Sequence, residues 1–530
     1  MSLDALIIAD YGTDSLSGSS PLRLTLDGQT ADIQVVYNYL ANGGRRVDFP
    51  PEEQHQLSWG SAPRLNGIAL LSTLLENGYR AVLVNDFARD HQHFVAALEE
   101  KPKAIIISTT FIVTRQALGA LVGEVRRLAP DIPLLVGGPL VTQSCRIRDR
   151  GDERLFQAPE LRETYLFCGG DDPESDLWFT DLNGQPALGA ALDRLLIGES
   201  LQGIPGTAWR SDTGDYVFER QQASSGSPPP IRWDLLPDSI FQPGVVPLQA
   251  SSGCPYRCAF CNFVKDHQQS YAKSIDQIIG EMEAVARRGV RYVWFVDDIF
   301  CLGRSDLNAF SRAIIQAGLD LQWMTFIRAD TVRNVDLNLL RQAGCLELQF
   351  GLESADPQVL AAMNKKADPQ MYQQSIHRTL AAGINVSAYF LFGHPGESEQ
   401  SAATTIEFMR ENQYPELPGS LSWSIYPFLL VPLSPIFEEQ QRQRYQLEGY
   451  MWQWRHAGMD SAGAMQQIRK AVMALNDSAP IYRGDNLPML AALPSPVRKA
   501  FFRARLRLAK TKADQQTIYH TFDEILHGCR

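Results

Sequence analysis

Short apolar segments alternate with helical patterns in two separate parts of the chain, and this alternation restricts the fold to parallel α/β architectures. In the first part, four nearly continuous apolar runs predict buried strands, and the segments between them predict helices. We therefore expect a doubly wound, Rossmann-like domain over residues 1–145. The strands are Ala5–Asp10, Ala81–Asn85, Ala104–Thr109 and Pro133–Val136, and the helices are Leu65–Asn77, His93–Glu100 and Arg115–Leu128, with a further helix expected around Ile33–Leu40.

The second alternating part covers residues 246–435. Strand candidates alternate there with helical segments, which predicts a partial β/α barrel. The strands are Val246–Gln249, Tyr292–Val296, Gln322–Ile327, Glu347–Phe350, Val386–Phe392 and Leu421–Tyr426. The helices are Ile275–Arg288, Asp306–Ala317, Asp336–Gln342, Pro357–Met363, Gln370–Ala382 and Ser398–Asn412.

The remaining residues lack this sustained alternation. Residues 146–245 are predicted to form a connector, which contains a small α/β piece (Ala190–Leu196, then Gly206–Arg210) and the stiff segment Pro228–Pro230. Residues 436–530 are predicted to form a helical C-terminal domain. Within that domain, Pro496–Lys512 carries seven basic residues and no acidic residue. This helix either binds an anionic group or packs its apolar face on the barrel, and the second interpretation is favoured because basic helix faces are common. Three aromatic residues either line a substrate pocket or pack together: Tyr450, Trp452 and Trp454.

The charge balance excludes some partners. The chain has 49 Lys+Arg against 60 Asp+Glu, and its formal net charge of −11 disfavours binding to nucleic acid. No apolar run approaches the roughly 18 residues of a transmembrane helix, and the first residues do not resemble a signal peptide. We therefore expect a cytoplasmic protein with no nucleic-acid or membrane partner.

The strongest local motif is a CxxxCxxC segment formed by Cys254, Cys258 and Cys261. Three thiolates on one short loop can bind three irons of a [4Fe–4S] cubane and leave the fourth iron open for a cofactor or substrate. Zinc is the alternative, but structural zinc is usually bound by two separated ligand pairs. The nearest further cysteine, Cys301, lies 40 residues on, and His267 lies outside the usual spacing. The spacing favours an iron–sulfur cluster, while zinc and a chance grouping remain alternatives.

With this motif and the barrel pattern, the sequence resembles radical SAM enzymes. The resemblance implies a 5′-deoxyadenosyl radical, made by reductive cleavage of S-adenosylmethionine (SAM), that abstracts a substrate hydrogen atom. It also implies SAM contacts at the carboxyl ends of the strands. Acidic side chains there suit the methionine ammonium group, an arginine suits its carboxylate, and glycines allow close approach of adenosine. The matching positions are Phe260, Asp297, Asp298, Arg328, Gly351, Glu353 and Gly393. Helix capping is the alternative role for the acidic residues.

The N-terminal domain resembles the cobalamin-binding domain of one class of radical SAM enzymes. The resemblance lies at the ends of the third and fourth predicted strands and implies cobalamin contacts at Ser108, Thr109, Thr110, Gly137 and Gly138. The chain has no DxHxxG motif, so no histidine ligand to cobalt is indicated. A doubly wound domain that binds nothing remains the alternative. The overall pattern most resembles the phosphinate P-methyltransferase group, although substrates differ widely between such groups.

These features lead to three functional hypotheses. The first is a cobalamin-dependent methyltransferase of natural-product biosynthesis that acts on an unactivated carbon or phosphorus centre of a small molecule or peptide. The second is a cobalamin-free radical SAM enzyme that forms a ring or C–C bond on a small molecule or ribosomally made peptide. The third is a structural or sensing protein that depends on zinc or a cluster. Both enzymes would need an external electron donor of the flavodoxin or ferredoxin type.

Overall fold

A computed structural model describes residues 3–12, 25–26, 29–30, 62–151, 156–169, 171–181, 184–220, 229–262, 271–300, 306–478, 491–511 and 520. The chain divides into two compact units. Unit 1 comprises Met1–Leu16 and Pro63–Ile240, and unit 2 comprises Ser17–Ala62 and Phe241–Arg530. The helix expected around Ile33–Leu40 lies outside the described residues.

Unit 1 is built on a seven-stranded sheet in the order β2-β1-β3-β4-β5-β6-β7. The first five strands are parallel and the last two are antiparallel. The strands are β1 (Ala5–Ile8), β2 (Ala81–Val84), β3 (Ala104–Ser108), β4 (Leu134–Gly137), β5 (Leu177–Phe179), β6 (Thr207–Arg210) and β7 (Tyr216–Glu219). The helices are α1 (Leu65–Glu76), α2 (His91–Glu99), α3 (Arg115–Leu128), α4 (Pro139–Asp149), α5 (Pro159–Thr164) and α6 (Gln185–Ile197). The predicted doubly wound domain is confirmed.

The structure differs from the predicted connector over residues 146–245. Strands β5, β6 and β7 continue the sheet, and the boundary between the units lies after Ile240. One of these strands, β6, corresponds to the predicted piece Gly206–Arg210. The other two form no long buried apolar run, because β5 has only three residues and β7 is partly exposed. They are stabilised by aromatic packing around Phe167, whose ring lies 5.5 Å from that of Trp178 and 5.3 Å from that of Phe218.

Unit 2 contains six parallel strands in sequential order, which is a partial β/α barrel. The strands are β8 (Val245–Leu248), β9 (Tyr292–Phe295), β10 (Gln322–Ile327), β11 (Cys345–Glu353), β12 (Asn385–Phe392) and β13 (Leu421–Pro427). The helices between them are α7 (Ile275–Ala286), α8 (Leu307–Gln316), α9 (Leu337–Gln342), α10 (Pro357–Ala362), α11 (Pro369–Ala381) and α12 (Glu399–Glu411). The predicted partial barrel is confirmed, and β11 extends beyond its predicted ends in both directions.

Alternate residues of the barrel strands face opposite sides. Phe390 and Trp423 contact each other, and Phe390 also contacts Phe408 of α12, so these rings face the helices. Tyr389 and Tyr426 contact each other on the opposite face. The inner face therefore carries the residues of this second set, which includes Tyr389 and Tyr426. A barrel of this kind binds ligands at the carboxyl ends of its strands.

The C-terminal region is mainly helical, as predicted, but it also contains a small antiparallel sheet that the sequence analysis missed. The elements are α13 (Glu439–Tyr445), β14 (Glu448–Tyr450), β15 (Gln453–His456), β16 (Met459–Asp460), α14 (Ser461–Ala474) and α15 (Ser495–Thr511). Its strands have two to four residues, too few for a visible alternation. Trp454 is buried and donates a hydrogen bond to the carbonyl oxygen of Phe428, whereas Trp452 is exposed. The three aromatic residues therefore do not share one environment.

The basic helix α15 packs on the barrel. Arg498 forms an ion pair with Glu347 near the start of β11, and both side chains are 1% exposed. Lys499 donates to the carbonyl oxygens of Pro415 and Leu417, and Lys510 donates to those of Met473 and Leu475. These cations have partners within the chain, which supports the packing interpretation over an anion site. Among the described residues, no helix is long and apolar enough to cross a bilayer.

Candidate active site

The cysteine loop follows β8 at the carboxyl end of the barrel. Cys254, Cys258 and Cys261 are half-buried and form no disulfide bond. The loop is tied to its surroundings through Ala259, whose N–H donates to the carbonyl oxygen of Met363 (2.9 Å) and whose carbonyl oxygen accepts from the N–H of Ile436 (2.8 Å). Burial raises the pKa values of the Cys254 and Cys258 thiols above their ordinary range. Binding iron as thiolates would offset this desolvation.

Asp297 and Asp298 hold the start of the cysteine loop. Asp297 accepts hydrogen bonds from the N–H of Ala250 (3.3 Å), from the N–H of Ser251 and from the Ser251 hydroxyl (2.7 Å). Asp298 accepts one from the N–H of Gly253 (2.9 Å). Burial raises the pKa of Asp297 to about 6. These hydrogen bonds do not cap a helix, because the N-cap residue of the next helix, α8, is Asp306. Contact with the methionine ammonium group remains a prediction.

Arg328 lies beside the same loop. Its guanidinium stacks 4.0 Å above the Tyr256 ring and pairs with Asp330, with Nε–Oδ1 at 3.0 Å. It also donates to the carbonyl oxygens of Lys365 and Lys366. The guanidinium is thereby fixed in orientation at the end of β10, although pairing of Arg328 with a ligand carboxylate is untested.

Glu353 ends β11 and pairs with Lys365 at 3.0 Å, with both side chains largely buried. The Cβ of any residue replacing Gly351 would lie 2.8 Å from Glu353 Oε1, 3.1 Å from Phe326 Cζ and 3.3 Å from Lys365 Nζ. Glycine at 351 therefore makes room for this ion pair. The sequence analysis missed Lys365 because nothing in its local sequence relates it to Glu353, 12 positions earlier.

Gly393 follows β12. Its surroundings give a reason for glycine at this position that differs from the predicted approach of adenosine. Its φ is +94°, and a Cβ there would lie 2.4 Å from Trp454 Cη2. The absence of a side chain lets the indole of the C-terminal sheet pack against the strand end. Close approach of adenosine at Gly393 remains a prediction without a contact that supports it.

This packing yields a stability prediction for Gly393→Ala. The variant should lose on the order of 2 kcal/mol more unfolding free energy than Gly289→Ala, because overpacking adds to the backbone strain that both share. Gly289 is a matched control, since its φ is +83° and nothing lies within 4 Å of its virtual Cβ. Urea unfolding followed by tryptophan fluorescence measures the difference, and equal costs for the two variants would contradict the account.

A buried polar group follows Gly393. His394 is fully buried, and its ring lies 6.3 Å from Phe260 of the cysteine loop and 5.5 Å from Phe428. Burial lowers the pKa of His394 to about 3. Glu397 accepts a hydrogen bond from the N–H of Gly393, yet burial raises its pKa to about 8, with a smaller contribution from Asp356. Both groups are therefore expected to be uncharged near neutral pH.

The Glu397 carboxyl predicts a pH dependence of stability. Between its ordinary pKa of 4.5 and about 8, the unfolded chain is ionised there while the folded chain keeps the proton. Stability contributed by Glu397 is therefore lost as the pH rises through this window. Glu397→Gln should remove that part of the decline, whereas Glu399→Gln, at an exposed position in the first turn of α12, should not. Thermal unfolding from pH 5 to pH 8 measures the slopes, and parallel profiles for Glu397→Gln and wild type would refute the assignment.

The thiol set fits a cluster better than a single metal ion. Within the described residues, no three His, Cys, Asp or Glu side chains converge as ligands of one metal ion. In a cubane each thiolate binds a different iron, so three separated thiols on one loop meet its requirement. The candidate fourth zinc ligands, Cys301 and His267, lie outside the described residues.

In unit 1, the predicted cobalamin residues divide into two groups. Ser108 accepts a hydrogen bond from Asn66 Nδ2 (2.8 Å) and contacts the Thr110 hydroxyl (3.1 Å) at the carboxyl edge of the sheet. Thr109, which is buried like Ser108, donates instead to the carbonyl oxygen of Gly137 (3.0 Å). A Cβ at Gly138 would lie 2.8 Å from Thr109 Oγ1, so Gly138 serves this internal packing.

The same edge of unit 1 carries groups that fit a large ligand. Asn66 Oδ1 is buried without a hydrogen-bond partner among the described residues. Phe111, which follows Thr110, is 39% exposed and lies 4.6 Å from the Arg64 guanidinium, and Val113 is 42% exposed. An edge that combines apolar side chains with hydrogen-bonding groups matches a flat macrocycle with amide substituents, which is the chemistry of cobalamin.

Comparisons with known proteins agree with this architecture. Residues 248–409 match the model of the Radical SAM superfamily. The chain is 24% identical to an uncharacterized methyltransferase of Pyrococcus horikoshii, over 65% of this chain and 72% of the other. It is 27% identical to the bacteriochlorophyllide d C-12(1)-methyltransferase of Chlorobaculum tepidum, over 37% of this chain and 43% of the other.

Among solved structures, the fold is similar to that of the radical SAM methyltransferase TsrM from Kitasatospora setae with cobalamin and a [4Fe–4S] cluster bound. The TM-score is 0.58 at 14% identity, and the alignment covers 100% of this chain and 99% of the other. At this identity the likeness shows the fold alone.

Proposed function

We propose that this chain, in which residues 248–409 form a radical SAM domain, is a cobalamin-dependent methyltransferase of natural-product biosynthesis. It acts on an unactivated carbon or phosphorus centre of a small molecule or peptide in the cytoplasm. The observation that carries the proposal is the cysteine loop, anchored by Asp297 and Asp298 at the carboxyl end of the barrel. The methylating relatives and the fold shared with TsrM support methyl transfer over other radical chemistry.

Each proposed cofactor has residues that fit it. Cys254, Cys258 and Cys261 bind the cluster, and the carboxyl-edge groups Ser108 and Thr110 face cobalamin. When bound, the cluster supplies the electron for reductive cleavage of SAM, and cobalamin carries the transferred methyl group. The protein contributes position, burial and charge.

The strand-end residues orient the reactants. Asp297 and Asp298 fix the loop through its backbone N–H groups, so the thiols keep a constant position relative to the barrel. The buried Glu353–Lys365 pair adds no net charge next to Gly351, whereas Arg328 supplies a fixed guanidinium. A SAM carboxylate at Arg328 would share this guanidinium with Asp330 through charge-assisted hydrogen bonds.

The inner face of the barrel offers an aromatic surface to the substrate. Phe326 and Tyr389 have ring centroids 5.3 Å apart, and Tyr389 stacks on Tyr426 at 6.3 Å with an interplanar angle of 13°. Tyr426 is 44% exposed although it lies on a barrel strand. This row continues from Gly351, so a substrate resting on it would lie beside the proposed SAM site. The arrangement supports a substrate with an apolar or aromatic portion.

Product analysis distinguishes the methyltransferase from a cobalamin-free enzyme that forms a ring or C–C bond. We expect the reduced, cobalamin-loaded enzyme to form both 5′-deoxyadenosine and S-adenosylhomocysteine. Methyl transfer to cobalamin should give up to about one equivalent of S-adenosylhomocysteine per chain without added substrate. Formation of 5′-deoxyadenosine alone would contradict methyl transfer and favour the alternative. Mass spectrometry of the two nucleosides is the measurement.

A further inference from the structure

The turn between α10 and α11 is hydrogen-bonded to the cysteine loop on both sides of Cys258. The N–H of Ala259 donates to the carbonyl oxygen of Met363 (2.9 Å). The Asn364 side chain donates to the carbonyl oxygen of Arg257 (2.7 Å). Both neighbours of Cys258 in the sequence are therefore held by this turn, which lies alongside the cysteine loop.

The next residue of the turn, Lys365, points away from solvent. Its side chain is 8% exposed, and its ammonium group pairs with the Glu353 carboxylate, with Nζ–Oε1 at 3.0 Å. Its carbonyl oxygen accepts a hydrogen bond from Arg328 Nη2 (3.1 Å). A lysine side chain is rarely buried unless it is paired, and here the pairing fixes the position of the ammonium group at the carboxyl end of the barrel.

The backbone around this ion pair adopts conformations that are unfavourable for residues with a side chain. The φ angles of Asn364, Lys366 and Glu353 are +53°, +50° and +69°, which lie in the left-handed region. Such conformations persist where surrounding contacts hold them, and they are concentrated at functional sites. Asn364 and Lys366 are exposed, whereas Lys365 between them is buried. The left-handed residues on both sides thus direct Lys365 inward.

The Lys365 ammonium acts on the cysteine loop more strongly than the carboxylate with which it pairs. Burial raises the pKa of the Cys258 thiol, Lys365 opposes this rise, and Glu353 adds to it by a smaller amount than Lys365 removes. Burial also raises the pKa of the Cys254 thiol, and Lys365 opposes that rise as well. The ion pair has no net charge, but it presents its positive end to the cysteines.

We propose that Lys365 raises the reduction potential of the cluster, and that Glu353 limits this effect by pairing with Lys365. The inference rests on the proposed function, which requires a [4Fe–4S] cluster at the three cysteines. Reduction transfers one electron from an external donor to the cluster, and no bond forms or breaks. Because the reduced cluster carries one more negative charge, a fixed cation nearby stabilises it more than the oxidised cluster.

The test is a redox titration of the full-length, iron-loaded protein with dithionite as the reductant. The reduced cluster is followed by its electron paramagnetic resonance signal in wild type, Lys365→Met, Glu353→Gln and Lys366→Met. Methionine approximates the length of the lysine side chain without its charge. Lys366→Met is the matched control, because it removes the same charge from the neighbouring, exposed residue. SAM is left out, so that ligand binding at the strand ends does not contribute.

At a fixed potential, we expect the ratio of reduced to oxidised cluster to fall about 10-fold in Lys365→Met, which is a shift of about 59 mV for one electron. Glu353→Gln should raise the ratio, because the ammonium is then unpaired. Lys366→Met should stay within about twofold of wild type, since solvent screens its charge.

Equal ratios in Lys365→Met and Lys366→Met would overturn the inference, as would shifts of Lys365→Met and Glu353→Gln in the same direction. If Lys365→Met did not retain iron, Glu353→Gln would decide, and a ratio no higher than that of wild type would overturn the inference. Absence of iron from wild type would overturn the proposed function itself, which distinguishes the two failures.

Discussion

Replacement of Cys258 by alanine is expected to abolish reductive cleavage of SAM. With one of three thiolates gone, the loop can no longer bind three irons of a cubane, and we expect 5′-deoxyadenosine formation to fall below about 1% of wild type. The same result is expected for Cys254→Ala and Cys261→Ala. Iron content and 5′-deoxyadenosine, measured after anaerobic purification, check the prediction.

Cys168→Ala is the matched control for these variants. Cys168 is also a free cysteine, but it is buried in unit 1, whereas the loop belongs to unit 2. This variant should keep wild-type iron content. Loss of iron in the control, or retention of iron and activity in Cys258→Ala, would show that the loop does not bind the cluster.

Arg498→Met is expected to cause a large loss of stability. Its partner Glu347 is 1% exposed and also accepts a hydrogen bond from the Ser387 hydroxyl (2.7 Å). Removing the cation leaves this carboxylate buried and uncompensated, which costs about 3–5 kcal/mol. Replacing both partners, in Glu347→Gln/Arg498→Met, should recover at least half of the loss because no charge is then buried.

The exposed pair between Arg503 and Asp477 is the control in the same helix. Their side chains are 48% and 33% exposed, and exposed ion pairs contribute about 0–1 kcal/mol. Urea unfolding of Arg498→Met, Arg503→Met and the double variant measures these differences. If Arg498→Met were no more destabilising than Arg503→Met, the pair would not be what holds α15 on the barrel.

Most of the parallel strands could be predicted because each is a buried apolar run next to a helix. The predicted helix Arg115–Leu128 matches α3 at both ends, and the predicted strand Gln322–Ile327 matches β10. Strands such as β7 escaped prediction because their residues are partly exposed and form no buried apolar run, whereas the buried strand β1, which also has four residues, could be predicted.

The site residues also divide into those that the sequence could predict and those that it could not. The cysteine loop and the acidic pair Asp297–Asp298 could be identified because their residues lie close together in the sequence. The partners that fix their surroundings could not, since Glu347 and Arg498 are 151 positions apart. Gly393 illustrates a further limit: the glycine was expected to accommodate a cofactor, but its close neighbour is Trp454 of a strand that sequence analysis did not predict.

The metal content of the protein tests the central claim most directly. The chain would be purified anaerobically from cells supplied with cobalamin, and iron, cobalt and zinc would be counted per chain. The account predicts about four irons and about one cobalt. Iron at this level without cobalt would contradict the cobalamin-dependent mechanism, and zinc in place of iron would contradict the radical SAM assignment of the cysteine loop.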